Sequence, residues 1–176
     1  MSLLIFSDLH LDNYRRFSTT GAGGLNSRLI QQTNVIQQVI KTAEEIKPEA
    51  IVFLGDLFNG QGATINKLLY LTGHKLVTQL QRVAPLYLIV GNHDMFGESH
   101  ILSPMAEMSN VKIIEKTEHF NLLGKKIAMM PWGGLIPKEG DILLGHLDIE
   151  GGRTGTGYDL PGTIHPKEVA NFKLII

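Results

Sequence analysis

Leu86-Tyr87-Leu88-Ile89-Val90-Gly91-Asn92-His93-Asp94 places four polar or conformationally permissive residues directly after five apolar ones. An apolar run without alternation reads as a strand covered on both faces, as in a parallel sheet. Gly91-Asn92-His93-Asp94 then reads as the loop at its carboxyl end. Two earlier runs close in the same way: Leu3 to Phe6 on Ser7-Asp8-Leu9-His10, and Ile51 to Leu54 on Gly55-Asp56. In an open α/β sheet the carboxyl ends of the strands lie side by side, so clusters distant in sequence converge on one crevice. A lone Asp or Asn after a strand is ordinarily a turn former. Three such clusters, each carrying Asp or His, point instead to metal or acid–base chemistry.

The spaces between these strands read as helices. Leu29, Thr33, Ile36, Ile40, Ala43 and Ile46 recur at steps of three and four, one face of a helix from Asn26 to Lys47 stopped by Pro48. A second helix is expected from Thr64 to Arg82, with Gly73 weakening it, and a short one from Ser99 to Met108 with Ser103-Pro104 near its start. From Val111 the rhythm changes to short strands: Val111 to Ile114, Phe120 to Leu123 and Lys126 to Met130, the last two joined by a turn at Gly124-Lys125. Asp141 to Leu144 is a further strand, closing on Gly145-His146. Gly151 to Gly162 reads as a glycine-rich loop, Pro166 to Asn171 as one helical turn preceded by His165, and Lys173 to Ile176 as a last strand.

Composition narrows the chemistry. The 176 residues, 43% of them hydrophobic, suffice for one well-packed domain, so residues 1–176 are expected to share one core. There is no cysteine, so a metal must be held by carboxylate, amide and imidazole groups, and the sequence suits a reducing cytoplasm. The amino terminus lacks a basic stretch before its apolar run, and no apolar run nears the roughly 18 residues of a membrane span. The chain is expected to be soluble and unexported. A net charge of −1 argues against indiscriminate nucleic-acid binding, yet does not exclude a nuclease, because divalent ions reverse the local potential of an acidic cleft. Tyr14-Arg15-Arg16, just after the first cluster, reads either as a solvated loop or as a contact to phosphate and base.

Asp8-x-His10, Gly55-Asp56, Gly91-Asn92-His93-Asp94 and Gly145-His146, in this order and each after a strand, resemble the calcineurin-like metallophosphoesterase superfamily. Within it the sequence is most similar to the SbcD-type DNA repair nucleases of bacteria and phages. The resemblance implies a four-layer α-β-β-α sandwich of two mixed sheets. It also implies two divalent metal ions, with Asp8 and His10 on the first, Asn92 and His146 on the second, and the Asp56 carboxylate shared. Ligation by oxygen and nitrogen suits Mn²⁺, Fe²⁺ or Zn²⁺, and the branch favours Mn²⁺. Such a pair of ions would activate water for in-line attack on phosphorus. His93 would face the substrate and protonate the leaving oxygen, with Asp94 holding its imidazole. His74, His100, His119 and His165 match no motif position and are expected at the surface or in caps.

The sequence departs from the family pattern in one place. The late Gly-His-x-His, which supplies one imidazole to each ion, is missing, so five of the seven protein ligands are present. Family order puts that motif directly after a strand of the kind at Lys173 to Ile176, and a chain cut just before it is the simplest expectation, the alternative being a natural variant with weakened metal binding and activity. Substrate class is read from the flanks. Asp56 is followed by Leu57-Phe58-Asn59 rather than the Asp-Arg-Gly of the protein phosphatases. His146-Leu147-Asp148-Ile149-Glu150-Gly151 follows the nuclease pattern of His, apolar, any, apolar, any, Gly. A DNA exo- or endonuclease is therefore preferred to a small-molecule or cyclic-nucleotide phosphodiesterase, with a non-catalytic scaffold of the same fold third. The same resemblance implies DNA as substrate, an SMC-like ATPase partner, a possible homodimer, no membrane, and the cytoplasm of a bacterium or of a phage-infected host.

Overall fold

In the computed structural model the chain is described except for residues 15, 22–24, 61–64, 154–156 and 160. Its elements run β1 (Leu3–Phe6), α1 (Ser27–Ile46), β2 (Ala50–Phe53), α2 (Lys67–Leu80), β3 (Leu86–Ile89), β4 (Met95–Phe96), β5 (Ser99–His100), β6 (Val111–Ile114), β7 (Glu118–Leu122), β8 (Lys125–Met130), β9 (Ile142–Gly145) and β10 (Leu174–Ile175). Two four-stranded sheets result, ordered β1-β2-β3-β6 and β10-β9-β8-β7. Every pairing in the first is parallel. The second is mixed, with β7 antiparallel to β8 and β9 parallel to both neighbours. This is the sandwich of two facing sheets with helices outside that the resemblance implies, except that the first sheet is parallel throughout rather than mixed.

The sheets face each other through one apolar layer. Ala50, Val52, Leu54, Ile89 and Ile114 from the first meet Leu122, Ile127, Met129 and Leu144 from the second. On the opposite face of the first sheet, Ile51, Phe53, Leu86 and Leu88 pack under Leu29, Ile36 and Ile40 of α1 and Leu69, Leu76 and Leu80 of α2. Burial on both faces is why these strands read as unbroken apolar runs. The outer face of the second sheet is covered, among the described residues, by Ile164, Val169 and Phe172 around a 3₁₀ turn at Pro166–Glu168. The outer layer there is thus one turn and loop, where the four-layer scheme places helix.

Helix α1 follows its sequence signals. Asn26 caps it by accepting from the Leu29 amide at 2.9 Å, an interaction worth about 1 kcal/mol, and Lys47 ends it in left-handed geometry at φ 47°. The expected start of α2 at Thr64 lies outside the described residues; the helix begins after the Asn66 cap and stops at Leu80. Gly73 has a reason to be in it, since a Cβ there would sit 2.6 Å from the Phe58 ring.

Ser99 to Met108 is not an α-helix. Its first two residues pair with Met95–Phe96 as a hairpin, and Ser103–Glu107 forms a 3₁₀ turn. The Ile101 amide is committed to the Asp94 carbonyl and the Ser103 hydroxyl to the His100 carbonyl, so neither nucleates an α-turn. The β7–β8 turn also falls one residue earlier than expected: Leu122 pairs with Lys125, leaving Leu123 (φ 54°) and Gly124 (φ 67°) in the two-residue primed turn that suits strand twist. Parts of the glycine-rich segment lie outside the described residues; its flanks are bridged by Arg153 and Asp159, 2.7 Å apart.

Candidate metal centre

Backbone geometry gathers the motif residues. Beyond β1 and β2 the chains keep pairing, with the Asp8 amide on the Gly55 carbonyl (3.1 Å) and the His10 amide on the Asp56 carbonyl (3.0 Å). Asp8, His10 and Asp56 all sit at positive φ, 54°, 44° and 61°. Non-glycine residues rarely adopt this region, and Asp and His tolerate it better than most. The two glycines are needed for space. A Cβ on Gly91 would lie 2.1 Å from Asp56 Oδ1, and one on Gly55 2.6 Å from His146 Nδ1. The glycine of each motif therefore lets a neighbouring strand's site residue approach.

Asp56 lies at the centre of the cluster and is buried. Its Oδ1 accepts from the His93 amide at 3.0 Å. Its Oδ2 is 3.6 Å from His10 Nε2 and 3.6 Å from His146 Nε2, so one oxygen faces two imidazoles from different sheets. His10 Nε2 also lies 3.5 Å from Asp8 Oδ1, and His146 Nε2 lies 2.8 Å from Asn92 Oδ1. The structure thus brings together Asp8, His10, Asp56, Asn92 and His146 in one cluster at the strand carboxyl ends. His10, Asp56 and His93 also form a compact group whose donor atoms all lie within 4.8 Å of one another.

The donor set fits a cation. His146 Nδ1 is 3.0 Å from the Leu54 carbonyl, so it carries the ring proton; in the neutral ring Nε2 then presents a lone pair toward Asn92 Oδ1 and Asp56 Oδ2. Electron pairs converging in this way repel one another unless a positive charge lies among them. Among the described residues His10 Nδ1 is buried without a hydrogen-bond partner. All the donors are oxygen or nitrogen, the set that divalent transition ions accept.

Asp94 does not hold the His93 imidazole. Its carboxylate is fully buried and accepts from the amides of Asp56 (2.9 Å), Leu57 (3.0 Å), Phe58 (3.4 Å) and Gly91 (3.1 Å), tying the loop after β2 to the loop after β3. Burial pushes its pKa up to about 6, against the amide donors that favour the charged form. The partner of the His93 ring is the Asn59 carbonyl, 2.6 Å from Nδ1. Adjacency in sequence misleads here because successive residues of a tight turn face different ways.

One positioning residue carries no sequence signal. Gln32 of α1 donates from Nε2 to the Leu9 (3.0 Å) and His10 (2.7 Å) carbonyls and accepts from the Asp12 amide (3.2 Å), strapping the first loop. Of the basic pair, Arg15 lies outside the described residues, and Arg16 is exposed over the Phe17 ring. His165 caps the 3₁₀ turn as expected, and His119 meets the Glu139 carbonyl at 2.9 Å. His100 is instead nearly buried, 3.1 Å from Glu115.

The calcineurin-like phosphoesterase family model matches residues 1–173. The chain belongs to this family. The cluster around Asp56 is a candidate site for a metal ion. No curated protein matches the sequence. Among solved structures, the chain is similar to a protein of unknown function from Aquifex aeolicus, at 18% identity and a TM-score of 0.38, over 73% of this chain and 59% of that one. Among the described residues no helix is long and apolar enough to cross a membrane.

Proposed function

We propose that this chain is the catalytic part of a DNA nuclease of the SbcD type. The observation that carries the reading is the single oxygen, Asp56 Oδ2, placed 3.6 Å from His10 Nε2 and 3.6 Å from His146 Nε2. Asp8 and His10 would hold one ion, Asn92 and His146 the other, and Asp56 would touch both. Two divalent ions bound there, Mn²⁺ in preference to Fe²⁺ or Zn²⁺, would supply Lewis acidity to the phosphoryl group and a water acidic enough to attack it. The side chains do the rest. His93, anchored through Nδ1–H on the Asn59 carbonyl, aims Nε2 into the cleft. In its charged form it donates from Nε2 to the leaving oxygen. Asp94 acts one step back, fixing the two loops that carry Asp56 and Asn92.

The preference for DNA rests on the His146-Leu147-Asp148-Ile149-Glu150-Gly151 stretch and on Asn59 standing where the phosphatase branch has a different loop. An SMC-like ATPase partner, a homodimer and a bacterial or phage-infected cytoplasm belong to the same reading. The test is hydrolysis of bis-p-nitrophenyl phosphate, single- and double-stranded DNA and a cyclic nucleotide, with Mn²⁺, Zn²⁺ or chelator. Any DNA cleavage is expected to need Mn²⁺ and to be weak, because each ion would lack the imidazole that the late Gly-His-x-His supplies. Cyclic-nucleotide hydrolysis without DNA cleavage would replace this substrate class, and metal binding without any hydrolysis would leave a scaffold.

A further inference from the structure

A cavity of about 190 Å³ borders one residue of the candidate metal centre. His146 forms part of its wall. Trp132, the only tryptophan of the chain, forms another part, and Ile136, Asp148, Thr163 and Ile164 are among the other residues that line it. The indole is 38% exposed and lines this cavity. Its ring centroid lies 6.1 Å from that of His146, at 70°. The backbone there is held: the Trp132 amide donates to the Val90 carbonyl at 2.9 Å, and the Gly134 amide closes a turn on the Pro131 carbonyl at 2.9 Å, with Gly133 at φ 65°. A large apolar ring is thus fixed at the end of β8, directly beside the Gly91-Asn92-His93-Asp94 loop and one ring away from a candidate metal ligand.

We propose that this cavity seats the nucleobase next to the scissile phosphate, stacked on Trp132. The proposal deepens the nuclease reading and rests on it. Drug-sized ligand pockets run to about 300–1,000 Å³, so the smaller volume here suits one planar ring system rather than a whole ligand. Stacking on an indole is indifferent to base identity, because every base has a π-face. The polar side chains point the same way. Asp148 repels a phosphate but accepts from ring N–H and amino groups, and the Thr163 hydroxyl both donates and accepts. The phosphate then lies on the metal side of His146 and the base on the other.

The test uses the whole chain with Ca²⁺ in place of Mn²⁺, reading tryptophan emission and the anisotropy of end-labelled oligonucleotides. A thymidine tetranucleotide should quench Trp132 emission and bind roughly tenfold to a hundredfold more tightly than an abasic tetranucleotide with the same backbone. Trp132→Ala should lower the first affinity to that of the abasic probe and leave the second unchanged, while Trp132→Phe keeps most of the difference. Equal binding of both probes by the unaltered chain overturns the subsite and leaves the nuclease reading standing. Equal weakening of both by Trp132→Ala also overturns it, since that is what a mere buttress for His146 would give. Quenching by thymidine monophosphate with no binding of either tetranucleotide supports the base subsite and removes DNA as the substrate. No quenching by any of the three overturns the subsite.

Discussion

The two sheets contribute to the cleft in different ways. The carboxyl edge of the first sheet carries Asp8, His10, Asp56, Asn92 and His93 on loops that are bonded to one another: Asp94 accepts four amides across two of them, and Gln32 straps the third. The edge of the second sheet offers His146, whose amide bonds the Met130 carbonyl and whose ring meets the Leu54 carbonyl, Asn92 Oδ1 and the edge of Trp132, beside a cavity. The first edge is fixed before any ligand arrives, and the second leaves room for one. Preorganised charge belongs where the chemistry occurs; space belongs where the substrate varies.

The strongest way to break this contrast is Asp56→Ala, which removes the oxygen shared by both edges. Both metal positions should empty, and hydrolysis should fall to the chelator background, as read by mass spectrometry of bound metal alongside rate. Retention of one ion would mean that the edges bind independently. Asp94→Ala should come next, costing about 3–5 kcal/mol by leaving buried amide donors unpaired, measured by urea unfolding. A loss under about 1 kcal/mol would show that the first edge is not held by this carboxylate. His93→Ala should lower turnover by about 10²–10⁴ while metal content stays constant. Should metal be lost with it, His93 belongs with His10 and Asp56 as a ligand.

Gln32→Ala sharpens the picture further. Removing its three hydrogen bonds should cost about 1–2 kcal/mol and weaken occupancy of the Asp8–His10 position more than that of the Asn92–His146 position. A last test is of pH. A carboxyl whose folded pKa is raised to about 6 contributes most to stability in acid, and that contribution is lost as pH rises through about 6. The stability margin of the metal-free chain over Asp94→Asn should therefore narrow between pH 4 and 7. A margin that widens with pH would place the folded pKa below that of the unfolded chain.

Much of this was legible in the sequence, and the reasons are specific. β1, β3 and β6 announce themselves as short apolar runs, and α1 carries its own start at Asn26 and stop at Pro48. The glycines of Gly55-Asp56 and Gly91-Asn92 could be seen to matter, although only the fold shows that each makes room for a residue from another strand. What stayed hidden is tertiary. Asp94 draws three of its amides from residues more than thirty positions away, and nothing in its neighbourhood distinguishes a latch from a partner of His93. Gln32 looks like any polar residue on an amphipathic helix. Ser99 to Met108 has apolar spacing that fits one helical turn of either kind, and competing bonds from Asp94 and His100 decide which forms.

The left-handed backbone at Asp8, His10 and Asp56 sets fold against function at three adjacent points. Each such residue costs the native state on the order of 1–2 kcal/mol relative to glycine, which adopts this region freely. Replacing Asp8 or His10 by glycine should therefore relieve strain while removing a ligand. An inactive protein that melts at a higher temperature than the active one is the expected result, and selection for stability alone would erode this corner of the cleft first.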